Sequence, residues 1–179
     1  MWARIDGKHV AEITQHDPAG RFHPSMHWEK FDGRRNVAIG WRFENGEFSA
    51  PPAPDINELA TQKRAEIDAA RDAAFAEGLP RDIAGEPDVV QTRPQDQINL
   101  LGLRAKAESA RDEGVTEPVM KFRGEQNVTR YLTPDEMYTL TNDALAHIES
   151  IYDHSWERKD AIDVALKAED REGIKAVEW

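Results

Sequence analysis

The chain contains no cysteine among its 179 residues. Without a thiol it can form neither a disulfide framework nor a thiolate metal site, and it has no cysteine nucleophile. This composition suits a reducing cytoplasm. Long apolar runs are also missing: no window approaches the roughly 18 apolar residues of a transmembrane helix, and Met1–Gly7 lacks the apolar core of a signal peptide. We expect no membrane span and no export by a standard signal.

Motifs of catalysis are absent as well. The sequence has no GxSxG nucleophile elbow, no phosphate-binding glycine loop and no dinucleotide-binding fingerprint. Its 34 acidic residues make chance pairs of carboxylates inevitable, so no pair is singled out as catalytic. We predict that the protein is not an enzyme, has no catalytic residues and uses no cofactor.

Two histidines have a spacing that occurs in metal sites. His23 and His27 form a His-x-x-x-His pattern, and His9 and His16 precede them closely. However, Pro24 prevents the helix interior that would bring both imidazoles to one face, and no HExxH order is present. We therefore predict no metal site.

Basic residues are scarce relative to acidic ones, and the net charge is −11. Residues 1–54 hold seven Lys/Arg and seven Asp/Glu, whereas residues 55–179 hold 16 and 27, so the imbalance belongs to the second part. An acidic surface repels phosphate backbones. We expect two units of different character and no nucleic-acid partner.

The first fifty residues have the pattern of strands. Ala3–Val10 and Trp41–Ser49 each surround a dipeptide that readily adopts positive φ, Asp6-Gly7 and Asn45-Gly46, which predicts two hairpins. Val37–Gly40 is a further candidate strand. The aromatic residues of the second hairpin alternate, so they share one sheet face, either to bind a partner or to close the module's own core; they are Trp41, Phe43 and Phe48.

A run of prolines marks the domain boundary. Pro51, Pro52 and Pro54 cannot pair in a sheet or enter a helix interior, and they favour extended backbone. We therefore divide the chain into a β module (residues 1–50), a linker (51–54) and a mainly helical domain (55–179).

Two helices are predicted after the linker. Asp55 can cap the first, which ends near Gly78, and the second starts at Thr92 with Pro94 in its first turn and ends before Gly114. The second helix is expected to present Ile98, Leu101, Ala105 and Ala107 or Glu108. A hairpin then spans about Val119–Leu132.

A long final helix starts at a capping box. Thr133 is the N-cap, Pro134 occupies the first turn and Glu136 lies three residues after the cap. No proline or glycine follows until Gly173. One face carries an apolar stripe. We predict that this stripe packs on the first helix or on copies of itself, with contacts from Met137, Leu140, Ala144, Ile148, Ile151 and Ile162.

The predicted fold class is α+β: a small antiparallel β module, a proline linker, two helices, a β-hairpin and a long final helix. His147 and His154 are seven residues apart on that helix, and Asp143 lies one turn before His147. They are either a solvated flank or, if the helix self-associates, a pH-sensitive element of assembly.

Four segments of the second part of the chain form a recognisable set: Val90–Arg93, Asp96–Leu103, Leu132–Met137 and Ser155–Ile162. With this set, about residues 55–179 resemble an uncharacterised C-terminal domain family of tailed-phage and prophage proteins. This chain departs from the family pattern at Phe122–Glu125, where a tryptophan with acidic turn residues is more usual.

Members of that family are often encoded beside tail-fibre and tail-fibre-assembly genes. The resemblance therefore implies a tail-fibre assembly factor, a chaperone acting in the bacterial host cytoplasm, with a tail fibre or other tail protein as its partner. The alternative is a structural component of the virion tail, a homo-oligomer formed through the long helix. Partner-binding aromatic residues are expected on the Trp41–Ser49 hairpin and on the Val119–Leu132 hairpin. In the latter they are Phe122 and Tyr131.

Overall fold

Antiparallel strands fill the first part of the chain, and helices dominate the second. The computed structural model describes residues 1–34 and 36–179, and it separates two units, Met1–Pro54 and Asp55–Trp179. An antiparallel sheet, hairpins and a long helix near the C-terminus together confirm the predicted α+β class.

The first unit is a five-stranded antiparallel sheet. Its strands are β1 (Trp2–Asp6), β2 (His9–Thr14), β3 (His27–Lys30), β4 (Arg42–Glu44) and β5 (Glu47–Ser49). They lie in the order β3-β1-β2-β4-β5. Ala3, Ile5, Val10, Phe31 and Val37 form its buried core.

Both predicted hairpins of this unit form. Asn45 and Gly46 have φ values of 53° and 84°, as a two-residue type I′ turn requires. The first hairpin turns at Gly7-Lys8 instead of Asp6-Gly7, because Asp6 still pairs with His9 and the positive φ of 60° belongs to the first turn residue, Gly7.

The predicted strand Val37–Gly40 is wrong. Trp41 donates its backbone N–H to the Ala38 carbonyl, and Gly40 has a φ of 89°, so this segment turns instead of extending. The strand that pairs with β1 on its other side is β3, whose short, mostly polar sequence gives little strand signal.

The second unit has the predicted order of two helices, a hairpin and a long helix, with one further hairpin between the first two helices. Its elements are α1 (Ile56–Glu77), β6 (Leu79–Ile83), β7 (Glu86–Val90), α2 (Pro94–Asp112), β8 (Met120–Phe122), β9 (Arg130–Leu132), α3 (Pro134–Lys167) and α4 (Arg171–Ala176). Asp55 and Thr133 each form the reciprocal bonds of a capping box, at α1 and α3.

Helix α3 is the longest element of this unit and contributes to both of its cores. At about 1.5 Å per residue its 34 residues span about 51 Å. The C-terminal part of α3 packs with α1 and α4 in a core that contains Ala60, Ile67, Ile162 and Ile174. The N-terminal part supplies the larger core, shared with α2, both hairpins and Phe75 of α1.

The predicted face of α2 is wrong for Ile98, Leu101 and Ala105, and of the two alternatives Ala107 and Glu108 only Ala107 is buried. Ile98 and Leu101 are 74% and 52% exposed, whereas Leu100 and Ala107 are buried against the rest of the unit. The helix also begins at Pro94, with Arg93 as N-cap, so Thr92 lies outside it. The sequence of α2 carries two apolar stripes of similar strength, and periodicity alone does not say which one packs inward.

The hairpin β6–β7 and the short helix α4 were not predicted. Pro80 and Pro87 lie within the two strands and conceal the strand pattern. A two-stranded ribbon tolerates these prolines because its outer edges are unpaired. The turn consists of Ala84 and Gly85, with φ values of 56° and 84°. Ala84 therefore holds a left-handed conformation that favours Asn or Gly.

Replacing Ala84 with Asn is expected to stabilise the protein by about 1 kcal/mol, because Asn tolerates positive φ and Asn-Gly is the preferred type I′ pair. Urea unfolding of both proteins measures the change. Ala84→Val is the matched control and should lower stability, since a branched Cβ worsens the strain. An Asn variant less stable than the parent would contradict this account.

Replacing Ile148 with Asp is expected to cost about 3 kcal/mol or more, because the new carboxylate would lie without a partner in the larger core. Thermal unfolding followed by far-ultraviolet circular dichroism measures the loss. Val164 lies on the same helix but is 68% exposed, so Val164→Asp should change stability by no more than about 0.5 kcal/mol. Equal losses in the two variants would be the contrary result.

Candidate partner-binding surfaces

Three aromatic residues of the first unit, Phe31, Phe43 and Phe48, form a contiguous cluster. The ring centroids of Phe43 and Phe48 lie 4.7 Å apart, and those of Phe31 and Phe48 lie 5.5 Å apart. Trp41, Phe43 and Phe48 are half-buried and pack against the core of the sheet. Each therefore closes the module's own core with one side and presents the rest of its ring to the surface.

The hairpin β8–β9 separates its two aromatic residues by register. Phe122 pairs with Arg130 on the inward face, and Lys121 pairs with Tyr131 on the outward face. Phe122 is 6% exposed and belongs to the larger core, whereas Tyr131 is 54% exposed with the Lys121 Nζ 5.9 Å from its ring centroid. Tyr131 is thus the member of the pair that a partner can contact.

A buried ion pair orients this hairpin. The Arg130 guanidinium donates to Asp88 of β7, and both side chains are almost fully removed from solvent. Asp88 also accepts hydrogen bonds from the backbone N–H groups of Val89 and Gln126. Because the bonds cross from β7 to the β8–β9 loop, Asp88 joins the two hairpins.

Gly124 is required for this junction. A Cβ atom at residue 124 would lie 2.6 Å from the carboxyl group of Asp88, which is closer than a carbon atom can approach without a steric clash. The segment Phe122–Glu125, where the sequence departs from the family pattern, therefore supplies both a core ring and the glycine that admits the Asp88 carboxylate. No local sequence signal connects Asp88 with residues 36 to 42 positions away, so sequence reasoning missed this site.

The electrostatics of Asp88 favour its ionised form. Burial by itself raises the pKa of Asp88, but the hydrogen bonds from Val89 and Gln126 and the ion pair with Arg130 outweigh burial and hold the pKa below its ordinary value. The carboxylate is therefore charged at neutral pH, and its stabilising contribution depends on remaining so.

A groove of about 390 Å³ lies between the β6–β7 turn and the first turns of α3, with Ile83 and Leu140 among its apolar lining residues. Its carboxylates already serve structural roles. Asp143 pairs with Arg81 at 3.2 Å, Asp82 accepts from the Gly85 N–H, Asp135 pairs with Arg111 and Glu136 completes the capping box. The geometry assigns these carboxylates to turns, caps and ion pairs.

The histidines singled out by spacing have separate local partners. His23 hydrogen-bonds Ser25, and His27 hydrogen-bonds Glu29 at 2.7 Å. Within residues 1–34 and 36–179, no group of three or more His, Cys, Asp or Glu side chains is arranged to hold a metal ion. On α3, the His154 ring meets Trp179 edge-on at 4.7 Å.

The stripe on α3 is covered by its own chain. All six residues proposed for this face are buried, and they contact the cores shared with α1, α2 and α4: Met137, Leu140, Ala144, Ile148, Ile151 and Ile162. Thr141 also lies in the stripe and satisfies its hydroxyl by donating to the Met137 carbonyl at 2.8 Å. The stripe therefore acts in intramolecular helix packing.

These features define a two-unit α+β protein with half-buried aromatic side chains in its first unit and one exposed aromatic side chain, Tyr131, on the β8–β9 hairpin. Residues 58–177 match the family model described as a domain of unknown function, DUF4376, and the chain belongs to that family. No curated protein and no solved structure matches the chain. Among the described residues, no helix is both long and apolar enough to cross a bilayer.

Replacing Asp88 with Asn is expected to cost about 3 kcal/mol at neutral pH, because Arg130 would keep a buried charge without its counter-ion. Since the folded pKa of Asp88 is depressed, its contribution is fully present above the ordinary carboxyl pKa and is lost as the pH falls through the folded value. The parent should therefore lose more stability on acidification than the variant.

Urea unfolding at neutral pH and in a series down to about pH 3 tests both statements. Asp112→Asn, at an exposed position on α2, is the control and should behave like the parent. Parallel pH curves for the parent and Asp88→Asn would show that the pair does not carry this linkage.

Proposed function

We propose that this protein is a tail-associated protein of a tailed phage or prophage that acts as an assembly factor for the tail fibre. The phage context comes from the motifs between Val90 and Ile162 described above. Membership of the DUF4376 family covers the same part of the chain and carries no function of its own. The assembly role is placed in the host cytoplasm, before the fibre joins the virion.

The observation that carries this choice is the burial of the α3 stripe. A structural subunit that oligomerises through its long helix needs an apolar face free for other copies, but the stripe of α3 is occupied by α1, α2 and α4. This arrangement favours an assembly factor, which binds transiently through other surfaces, over a subunit built on a coiled coil.

The candidate client surface is the outward side of β8–β9. Tyr131 combines an exposed ring with a hydroxyl, and residues of this kind are frequent anchors in interfaces. The hairpin has only two strands, so each has an outer edge that offers backbone N–H and C=O groups to an extended segment. An aromatic anchor beside a strand edge suits an incompletely folded, β-rich client.

Tyr131→Ala is expected to reduce the yield of soluble fibre at least about threefold when the protein is co-expressed with the neighbouring fibre gene. Tyr131→Phe, which keeps the ring, should retain most of the rescue. The parallel variant Trp41→Ala with Phe43→Ala asks whether the β module also binds the client. Soluble fibre is measured by quantitative gel analysis of the cleared lysate.

Trp156→Ala is the matched control, because Trp156 is an exposed aromatic residue on α3. Its rescue should equal that of the parent, and every variant should retain the parental melting temperature within a few degrees. Rescue that is insensitive to Tyr131→Ala would remove β8–β9 from client binding. Stable retention of the protein in purified particles would instead support the structural-subunit alternative.

A further inference from the structure

Helix α2 has an apolar side that no part of the described structure covers. Ile98, Leu101, Gly102 and Ala105 follow the three- and four-residue spacing of one helix face, opposite the buried Leu100 and Ala107. We call these four residues the outer α2 face. Ile98 is the most exposed large apolar residue of the described chain, and exposed apolar residues of this size, grouped on one side of a helix, indicate an interaction surface.

This face is neutral in a strongly acidic unit. From Pro94 to Ala105 the only charged residues are Asp96 and Arg104, and both are half-buried, with the Arg104 guanidinium 5.5 Å from the Tyr138 ring of α3. Residues 55–179 hold 27 acidic and 16 basic side chains, so two such units repel each other over most of their surfaces. The outer α2 face is a place where two copies can meet without opposed carboxylates.

The shape of the face is self-complementary. Its large residues, Ile98 and Leu101, come first along the helix, and its small residues, Gly102 and Ala105, come last. A two-fold axis between residues 101 and 102 would run the two helices antiparallel and set each Ile98 against Ala105 of the second copy. A Cβ atom at Gly102 would have no neighbour within 4 Å, which leaves room for close helix approach.

The charges at the ends of α2 agree with the antiparallel arrangement. The N-cap Arg93 makes no side-chain capping bond, whereas Asp55 and Thr133 cap α1 and α3. The one acidic residue in the first turn of α2, Asp96, is half-buried and lines the same groove as Leu100, away from the outer α2 face, so the positive pole of the helix dipole is not neutralised on that face. In the two-fold register the exposed Glu108 of one copy lies near the first turn of the other, so the contact is electrostatically favourable.

We propose that the outer α2 face binds a second copy of this chain, with the two α2 helices antiparallel about a two-fold axis. One helix face buries less than the roughly 1,200 Å² typical of stable interfaces, so the dimer is weak and dissociates at about 10–100 µM. This self-association does not depend on the phage role, and it uses a surface distinct from the α3 stripe and from Tyr131.

Sedimentation velocity of the full chain from about 5 µM to about 500 µM tests the dimer. The parent should change from monomer to dimer across this range, and Ile98→Glu should raise the dissociation constant at least about tenfold because a charge would enter the contact. Val164→Glu, at an equally exposed apolar position on α3, should dimerise like the parent. A parent that stays monomeric throughout, or a dimer unaffected by Ile98→Glu, would overturn the proposal.

The absence of cysteine makes the register directly measurable. Ile98→Cys and Ala105→Cys chains, prepared separately and then mixed under mild oxidation, should form mainly the mixed disulfide. In the proposed register two copies of Cys at the same position lie about 10 Å apart along the helix axis, which is too far for a disulfide. Predominant homodimers of each variant would indicate a parallel contact and would overturn the antiparallel arrangement.

A second copy is distinguished from a client helix by combining these readouts. If the parent remains monomeric and Ile98→Glu abolishes fibre rescue, the outer α2 face binds the client, and the self-association proposal fails while the proposed function stands. If the parent dimerises and Ile98→Glu lowers dimerisation without changing rescue, the self-association proposal stands on its own.

Discussion

The burial of one continuous stripe on α3 is the constraint from which the second unit is built. No single neighbour is long enough to cover a helix of about 51 Å, so α1 and α4 cover its C-terminal part and α2 and the hairpins cover its N-terminal part. Two separate cores therefore share one helix. This arrangement removes the stripe from intermolecular contact and leaves partner binding to other surfaces.

The Asp88–Arg130 ion pair holds the two hairpins of the second unit together. Short two-stranded ribbons are marginally stable by themselves. A buried charge pair with additional backbone donors ties β7 to the β8–β9 loop, and Gly124 leaves the space that the carboxylate needs. Side chains alternate along a strand, so the inward direction of Arg130 requires that its neighbour Tyr131 points outward. The same pair that stabilises the hairpin thus sets the exposure of its aromatic residue.

Features that depend on residues close together in the sequence were predicted, whereas features that depend on distant residues were not. The N-cap at Asp55, the capping box at Thr133, the Asn45-Gly46 turn and the α3 stripe depend on residues within a few positions of one another, and the sequence predicts each of them. The inward face of α2 was predicted wrongly, because two apolar stripes compete and only the packing against α3 selects between them. The β6–β7 hairpin was missed because its prolines conceal the strand pattern.

The amino-acid sequence alone established the α+β class, the starts of α1 and α3, the Asn45-Gly46 turn and the concentration of negative charge in residues 55–179. These properties depend on local conformational preference and on composition. Tertiary packing decided that Phe122 is buried while Tyr131 is exposed, that Asp88 meets Arg130 across 42 positions, and that Ile98 and Leu101 face outward. Such outcomes depend on which surfaces, distant in sequence, pack against each other. The free energy that favours one packing over another is summed over the whole contact, so no short stretch of sequence reveals it.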